Sequence, residues 1–470
     1  MKYLGFTIAT LIAATTATAA DFKWTGRYRF EGVTVRNSDL QNGGSSKAYM
    51  LHHLVLSPEI VAADGFNIYG RFDILNSANL LYANSQMGQF MGSGPGTATP
   101  TDTTNSNVLS QTQKADTLAI SHLYLSWAQE FAELRVGRSP VHFGLGMTHN
   151  DGSGEFDHWM DTKDLVSYKM IFGNLSLTPM LGKVNEGTLS QEDDVNDYML
   201  HFQYDNKDSK LSMGAFYEAR IASSGAPTGN DVPTTYNGAG TITDGWEGKQ
   251  LNIFVARTFD ESAVGVEAGF LSGSTGLRST SGANTALAGF GISGEYKWNP
   301  LDSKWNMHLK AGVASGDDPN TPDKFEGYLF DRNYDVATLL FNHVLGNYDL
   351  LRSSFGGKGA TTGSSGVADV EALSNVMYIS PAFNYRMADY WTIDTRLVYA
   401  TLQQTNFGAI NADSSLGFEL DVGTTYRPHE HFVFGFDLAV LFPGSAFAGG
   451  SANFPKETAY GLSTKAAVSF

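Results

Sequence analysis

The sequence predicts an all-β fold, a transmembrane antiparallel up-and-down β-barrel of about 18 strands, and three observations support this prediction. Apolar and polar residues alternate with a period of two through most of the chain, as they do in β-strands. The gaps between these segments alternate in length, one short and the next long. Beyond the N-terminal stretch, no apolar run is long enough to form a membrane-spanning helix.

Composition excludes several classes of function. The 470 residues include 31 Lys and Arg against 48 Asp and Glu, so the formal net charge is -17. A chain with this charge has no basic stripe to neutralise phosphates, which argues against a nucleic-acid partner. Because the chain contains no cysteine, it has no disulfide framework, no cysteine-ligated zinc and no thiol nucleophile.

Residues 1–20 predict a cleaved signal peptide. Lys2 supplies a short positive region, residues 4–14 are apolar, and Ala17-Thr-Ala19 fits a cleavage site of small residues. A buried N-terminal helix is the alternative interpretation of this stretch. We assign residues 21–470 to one barrel domain.

The alternation places large apolar residues on one face of each segment. Phe22, Trp24 and Tyr28 share a face, opposite Lys23 and Arg27. The strands of a soluble β-sandwich also alternate between apolar and polar residues. Here, however, large aromatic residues on one face stand opposite ionised residues on the other, which favours a barrel wall with lipid outside and a water-filled lumen inside. The 18 segments lie at residues 22–34, 48–60, 66–78, 116–128, 132–139, 163–172, 175–184, 195–205, 209–220, 248–258, 262–272, 285–297, 304–315, 373–386, 390–402, 414–427, 431–442 and 457–470.

The connections between segments divide into two classes. Short gaps lie at residues 61–65, 173–174, 206–208, 260–261, 299–303, 387–389 and 428–430. Long gaps lie at residues 79–115, 141–162, 221–247, 316–370 and 444–455. Short periplasmic turns and long extracellular loops connect barrels of bacterial outer membranes in this way. Tryptophans cluster near the short-turn ends, as expected at a membrane interface, at Trp24, Trp127, Trp298, Trp305 and Trp391.

Two local sequences carry a family resemblance. The final segment, AYGLSTKAAVSF, alternates and ends in Phe470, and it looks like the C-terminal signal of Gram-negative outer-membrane proteins. Residues 135–151, RVGRSPVHFGLGMTHND, resemble the GR-x-P-x-x-(W/F)-GLG-x-x-x-ND segment of large Gram-negative barrels. The mature chain therefore resembles an eighteen-stranded porin, with substrate-specific porins and alginate-exporter-like barrels as the nearest in architecture.

This resemblance implies a location in the cell outer membrane and contact with its lipid and lipopolysaccharide. It implies passive diffusion of small hydrophilic solutes or ions through a charged, water-filled lumen, with no enzymatic activity and no cofactor. The barrel-insertion machinery would recognise the signal that ends at Phe470. The PEFGG-like motif of general trimeric porins does not occur in the sequence. The resemblance therefore leaves both a homotrimer and a monomer open, and it does not name the solute.

Alternation also predicts which charged residues line the lumen. The inward basic residues are Lys23, Arg27, Arg29, Arg71, Arg135, Lys169 and Lys465. The inward acidic residues are Glu218, Glu267, Glu295, Glu419, Asp421 and Asp437. We hypothesise a basic ladder facing an acidic wall, because charges in the lumen set the selectivity of a pore. The alternative is a set of solvated charges in local ion pairs, such as Arg71 with Asp73.

Two long loops are candidates for narrowing the pore, at residues 79–115 and 316–370. The second contains apolar residues at helical spacing between Asn333 and Gly346, which predicts a short helix. Such a helix would pack either inside the lumen or on the surface loops.

The run from Asp151 to Asp157 suggests a calcium site. Oxygen-bearing side chains alternate at Asp151, Ser153, Glu155 and Asp157, and such ligands suit a hard cation. Phe156 occupies the position of the glycine in an EF-hand loop. A solvated acidic loop is the alternative.

Two further classes of function remain as alternatives. His149 and Ser153 are reminiscent of the catalytic pair of a barrel hydrolase, but their spacing does not fit that pattern. A surface receptor or adhesin built on a barrel with a plugged lumen would share the fold without conducting solutes.

Overall fold

The computed structural model describes residues 21–74, 88–89, 118–185, 195–222, 245–278, 282–346, 372–407 and 410–470. The predicted signal peptide and the predicted pore loop at residues 79–115, apart from its residues 88–89, lie outside these ranges. Within them, 18 long strands form a single antiparallel barrel, which confirms the predicted fold.

The barrel strands follow one another around the wall in chain order. They are β1 (Asp21–Arg36), β2 (Ser46–Ala63), β3 (Phe66–Ile74), β4 (Leu118–Ala128), β5 (Ala132–Pro140), β6 (Thr162–Phe172), β7 (Leu175–Asn185), β8 (Val195–Asn206), β9 (Leu211–Ala222), β10 (Trp246–Thr258), β11 (Ser262–Arg278), β12 (Phe290–Trp298), β13 (Trp305–Ala314), β14 (Val376–Ala388), β15 (Trp391–Leu402), β16 (Ser415–His429), β17 (Phe432–Pro443) and β18 (Ala459–Ser469).

Three short strands in the described ranges lie outside this wall. Gly88–Gln89 pairs with β2, while Asn284–Leu287 pairs with the end of β11 and with Lys324–Phe325. The segment predicted at residues 285–297 is therefore divided, and β12 begins only at Phe290.

The two faces of the wall differ as the alternation predicts. On β16, Phe418, Leu420 and Val422 are exposed on the outside, while Glu419 and Asp421 are buried inside the barrel. Turns of two to six residues connect the strands at one end, and the longer loops lie at the other. All five tryptophans expected at the interface are exposed near the short turns. Among the described residues, no helix is both long and apolar enough to cross a bilayer.

The barrel closes where β1 meets β18. Their pairing runs from Arg27 with Ser469 to Arg36 with Tyr460. Beyond it, the backbone of Phe470 exchanges two hydrogen bonds with Gly26, at 2.7 and 2.9 Å. A Cβ on Gly26 would overlap the Phe470 ring, so the glycine provides the space into which the terminal aromatic packs.

We expect Gly26→Val to destabilise this closure by about 1–3 kcal/mol, because the added side chain overpacks the seam. The measurement is the temperature at which the protein loses the electrophoretic mobility of the folded barrel, in samples heated to increasing temperatures before electrophoresis. Gly294→Val is the control, because a Cβ at that outward glycine meets nothing closer than 3.9 Å. Equal loss of stability in the two variants would contradict the role of the seam.

Candidate functional site: a lumen crossed by two inward-folded loops

The structure places all thirteen predicted lumen residues on the inner side of the wall. Each alternates along its strand with outward-facing residues of the apolar belt, as Glu267 does with the exposed Val264, Val266 and Phe270. Their contribution to permeation stays a prediction, because it depends on what else occupies the lumen.

Charges of the two signs are interleaved on this inner face. The predicted pair of Arg71 with Asp73 is present at 3.2 Å. Further pairs join Lys465 to Asp437 at 3.0 Å, Arg135 to Glu133 at 2.7 Å, Lys163 to Glu218 at 2.6 Å and Lys310 to Glu295 at 3.3 Å. This arrangement is closer to the alternative of local ion pairs than to a free ladder opposite an acidic wall.

The loop between β5 and β6, residues 141–161, folds into the barrel; we call it L3. Its first half is bound to Glu267 of β11. The backbone N–H groups of Leu145 and Met147 and the hydroxyl of Thr148 donate to this carboxylate, at 2.6, 3.3 and 3.0 Å. A Cβ at Gly144, which has a φ of +58°, would lie 2.6 Å from the same carboxylate. A glycine is required there by both the conformation and the close approach.

Apolar contacts strengthen this attachment. Phe143 of L3 is buried and packs against Phe216 and Phe254, with ring centroids 5.8 and 6.2 Å apart. Beside it, His149 Nε2 lies 2.9 Å from Glu218 Oε2 on β9. The base of L3 is therefore fixed on the β9–β11 wall.

The tip of L3 is bound by arginines of the opposite wall. Arg29 donates to the backbone carbonyls of Glu155 and Asp157, at 3.1 and 2.7 Å. Arg27 donates to the carbonyl of Ser153, and Arg71 donates to that of Gly152, each at 3.3 Å. Hydrogen bonds from a charged donor are stronger than neutral ones. Three members of the predicted basic ladder thus hold a loop.

Two side-chain pairs complete this attachment. Arg427 of β16 makes a two-pronged ion pair with Glu155, at 2.8 and 2.6 Å. His158 Nε2 lies 2.9 Å from Glu31 Oε2 on β1. Because β10 and β1 face each other across an eighteen-strand ring, L3 crosses the lumen and narrows it.

The loop between β13 and β14 is described at residues 315–346 and 372–375; we call these residues L7, and they also turn inward. Three consecutive backbone N–H groups, of Thr338, Leu339 and Leu340, donate to Glu419 at 2.8, 2.6 and 2.8 Å. The helix predicted between Asn333 and Gly346 is wrong, and isolated turns take its place. The reason is that these N–H groups bond to a wall carboxylate, where a helix would direct them to its own carbonyls.

The apolar side chains of L7 line a large buried cluster inside the barrel. Phe330, Val336, Leu339 and Leu340 pack there against inward residues of β14 to β18, among others Tyr378. One side of the lumen is thus filled with protein.

L3 and L7 also bind each other. The amide of Asn333 accepts from the backbone of His158 and Trp159 and donates to the Trp159 carbonyl. Burial raises the pKa of Asp161 in L3. Burial and the nearby Asp161 carboxyl also raise the pKa of Asp331 in L7 well above its ordinary value. Both shifts favour protonated carboxyls, which avoids two adjacent buried negative charges.

The three carboxylates of the predicted calcium site bind other partners. Asp151 accepts from the backbone N–H of Ser153, Asp157 accepts from that of Gly154, and the Glu155 carboxylate binds Arg427. Among the described residues, no group of three or more acidic or histidine side chains is placed to hold a metal ion. A calcium ion at this position stays a prediction.

Sequence reasoning did not identify L3 as the loop that crosses the lumen, although a signal was present. The segment that resembles other large barrels, residues 135–151, covers the first half of L3. Its glycines permit the backbone turns at Gly144 and Gly146, which both have positive φ. Two wall residues that bind the tip of L3 were not predicted: Glu31, the partner of His158, and Arg427, the partner of Glu155. Nothing local in the sequence links either of them to L3.

The comparisons with known proteins support the fold. No family model and no curated protein matches the chain. Solved structures with a similar fold include Pseudomonas aeruginosa OccK2 (OpdF), with a TM-score of 0.52 at 9% identity, covering 96% of this chain and 98% of that one. OccK9 (OpdG) and OpdQ of the same organism both give a TM-score of 0.51 over the same shares, at 11% and 8% identity.

These neighbours are outer-membrane porins, and the chain shares their eighteen-stranded barrel. At such low identity the likeness concerns the fold. The predicted fold class is confirmed, and this fold with its apolar outer belt indicates the cell outer membrane.

The ion pair of Glu155 with Arg427 generates a prediction about pH. The Arg427 guanidinium holds the pKa of Glu155 below its ordinary value of 4.5, so the pair is intact above that value and is lost as the pH falls through the lowered pKa. We expect Arg427→Ala to free the L3 tip at neutral pH, which raises single-channel current noise. In the unmodified protein the same noise should appear only in acid.

Arg138→Ala is the control for this experiment. Arg138 makes a similar ion pair with Asp164, at 2.6 Å, but on the outer side of the wall. Quiet, pH-independent currents from Arg427→Ala would show that the pair does not hold L3.

The contact of Glu419 with L7 generates a second prediction. Glu419→Ala leaves three N–H groups without their acceptor, and each buried unsatisfied group costs about 1–3 kcal/mol. We expect L7 to become sensitive to limited proteolysis, with cuts mapped by mass spectrometry near residues 338–340. Glu419→Gln retains one acceptor oxygen and should be cut more slowly than Glu419→Ala. Full resistance of Glu419→Ala would contradict the anchoring role.

Proposed function

We propose that the protein is a passive diffusion channel for small hydrophilic solutes or ions, with a charged, water-filled lumen narrowed by L3. The observation that carries this proposal is the exposure of charged side chains on the inner wall. The side chains of Lys23, Lys297 and Arg427 are 57%, 51% and 42% exposed, although all three point into the barrel. All three lie within two residues of the periplasmic end of their strands, so water reaches the inner wall there. Farther in, the inward side chains of Arg135 and Lys465 are still 38% and 31% exposed.

The size of the barrel agrees with this function. Eighteen strands enclose an aqueous channel unless loops fill it. L3 and L7 occupy part of that space and leave a narrower passage lined by paired charges. Such charges act on a solute within about 8 Å at physiological ionic strength, so discrimination between solutes would occur beside the loops.

The solute bound by one protein of similar fold is of the proposed class. OccK2 has been crystallised in complex with glucuronate, with a TM-score of 0.50 to this chain. Glucuronate is a small hydrophilic molecule, and its binding is a property of OccK2. It supports a solute of this size for the present channel without naming one.

A surface receptor or adhesin is the second candidate, and the L7 cluster favours it. An apolar core that fills one side of the lumen is what a plug requires. The two candidates differ in conductance, because a plugged barrel inserts into a bilayer without passing ions.

We further propose the partners that the outer-membrane location implies. The apolar belt would contact membrane lipid and, in the outer leaflet, lipopolysaccharide. The segment ending at Phe470 would be read by the barrel-insertion machinery. Whether the barrel works as a monomer or a homotrimer is a question for native mass spectrometry.

The decisive test is a planar bilayer recording of the purified protein in KCl. We expect stepwise current increments as single barrels insert. A variant in which residues 151–157 are replaced by two glycines should give larger increments, because the segment that crosses the lumen has been removed. Insertion without current, verified by protease protection in liposomes, would reject the channel and favour the receptor.

A further inference from the structure

A row of aromatic and polar side chains lies on the inner wall on the periplasmic side of L3. Tyr69 of β3 and Tyr124 of β4 are direct cross-strand partners. Their rings stack with centroids 5.2 Å apart and planes at 26°. The guanidinium carbon of Arg135 on β5 lies over the Tyr124 ring, 5.9 Å from its centroid. Three neighbouring strands thus present one continuous stack.

The polar ends of this row form an ordered set of hydrogen-bonding groups. Arg135 donates to both carboxylate oxygens of Glu133, at 2.7 and 3.1 Å, and the Ser126 hydroxyl donates to one of them at 2.7 Å. The amide of Asn67 donates to the Tyr69 hydroxyl at 3.1 Å. No residue in the described ranges hydrogen-bonds to the Tyr124 hydroxyl, which makes it available to a solute.

The row lies in the wet part of the lumen, next to the constriction. Tyr69 is two residues from Arg71, which binds L3, and therefore lies about 7 Å from it along the strand. The side chains of Arg135 and Glu133 are 38% and 19% exposed. A solute that passes L3 on this side of the barrel would meet these groups next.

The charge of the surroundings favours an uncharged solute. Both nearby acids are paired, Glu133 with Arg135 and Glu59 with Lys23 at 3.8 Å. With Lys169 opposite Glu133, the patch holds three cations and two anions, a formal charge of only +1. The guanidinium donates hydrogen bonds, the carboxylate accepts them, and the phenols do both. Each hydroxyl group of a polyhydroxylated solute can also donate and accept, so such a solute can bond to all of these groups.

We propose that Tyr69, Tyr124, Arg135 and Glu133, with Asn67 and Ser126, form a subsite for neutral polyhydroxylated solutes such as sugars. Hydroxyl groups of the solute bond to the phenols and to the exposed edges of the Arg135–Glu133 pair. Its apolar carbon edge contacts the rims of the stacked rings. This inference rests on the proposed channel function and adds the class of solute.

The test is a planar bilayer titration with glucose and, separately, with gluconate, which is similar in size but anionic. We expect glucose to reduce the KCl current of the unmodified protein in a saturable manner, and gluconate to do so less effectively. Tyr124→Phe removes one hydroxyl and keeps the ring. It should raise the half-blocking glucose concentration about two- to tenfold, the ratio that corresponds to one net hydrogen bond.

Glu133→Gln should also raise the half-blocking glucose concentration. The double variant Tyr69→Phe/Tyr124→Phe should raise it further than Tyr124→Phe alone. Tyr217→Phe is the matched control, because Tyr217 is exposed on the outer face of β9. The KCl current before sugar is added shows that each variant has folded and inserted.

The outcomes separate the subsite from the channel. A KCl current with no saturable glucose block, or a block that Tyr124→Phe leaves unchanged, overturns the subsite while the channel stands. A block by gluconate that exceeds the block by glucose also overturns it, because the site would then select an anion. No KCl current at all rejects the proposed channel and the subsite together.

Discussion

The hydrocarbon interior of a membrane offers no hydrogen-bonding partner to the polypeptide backbone, and the rest of this structure depends on that constraint. Every strand must therefore pair on both sides, which the sheet achieves by joining β1 to β18 through the terminal segment. Closure then separates two environments. The exposed aromatic and aliphatic side chains of the strands project outward, and the charged side chains that the wall buries project into the lumen.

An enclosed, polar lumen creates a second requirement, because loops that enter it bring backbone groups that need partners. Inward wall residues supply them. Glu267 binds the base of L3, Glu419 binds L7, and Arg29 holds the carbonyls of the L3 tip. The charges nearest the constriction thus serve first to position the loops. Solute recognition is left to groups further toward the periplasm, such as the row at Tyr124.

Several features of the site were predictable, and others were not. The inward orientation of Arg27, Arg29 and Arg71 follows from a local alternation. Their partners lie more than 80 positions away in the chain, in a loop whose own sequence does not show that it turns inward. The prediction of a helix in L7 is wrong for the same reason, because the spacing of the apolar residues carries no information about a carboxylate on β16.

The sequence by itself determined the class of fold, the positions of the strands and the face on which each side chain lies. These depend on a period of two and on the partition of apolar residues into lipid, which both act locally. Only the tertiary structure decided that L3 crosses the lumen, that L7 packs against one wall and that the inner charges form pairs. Those outcomes depend on which sequence-distant donors and acceptors meet once the barrel has closed.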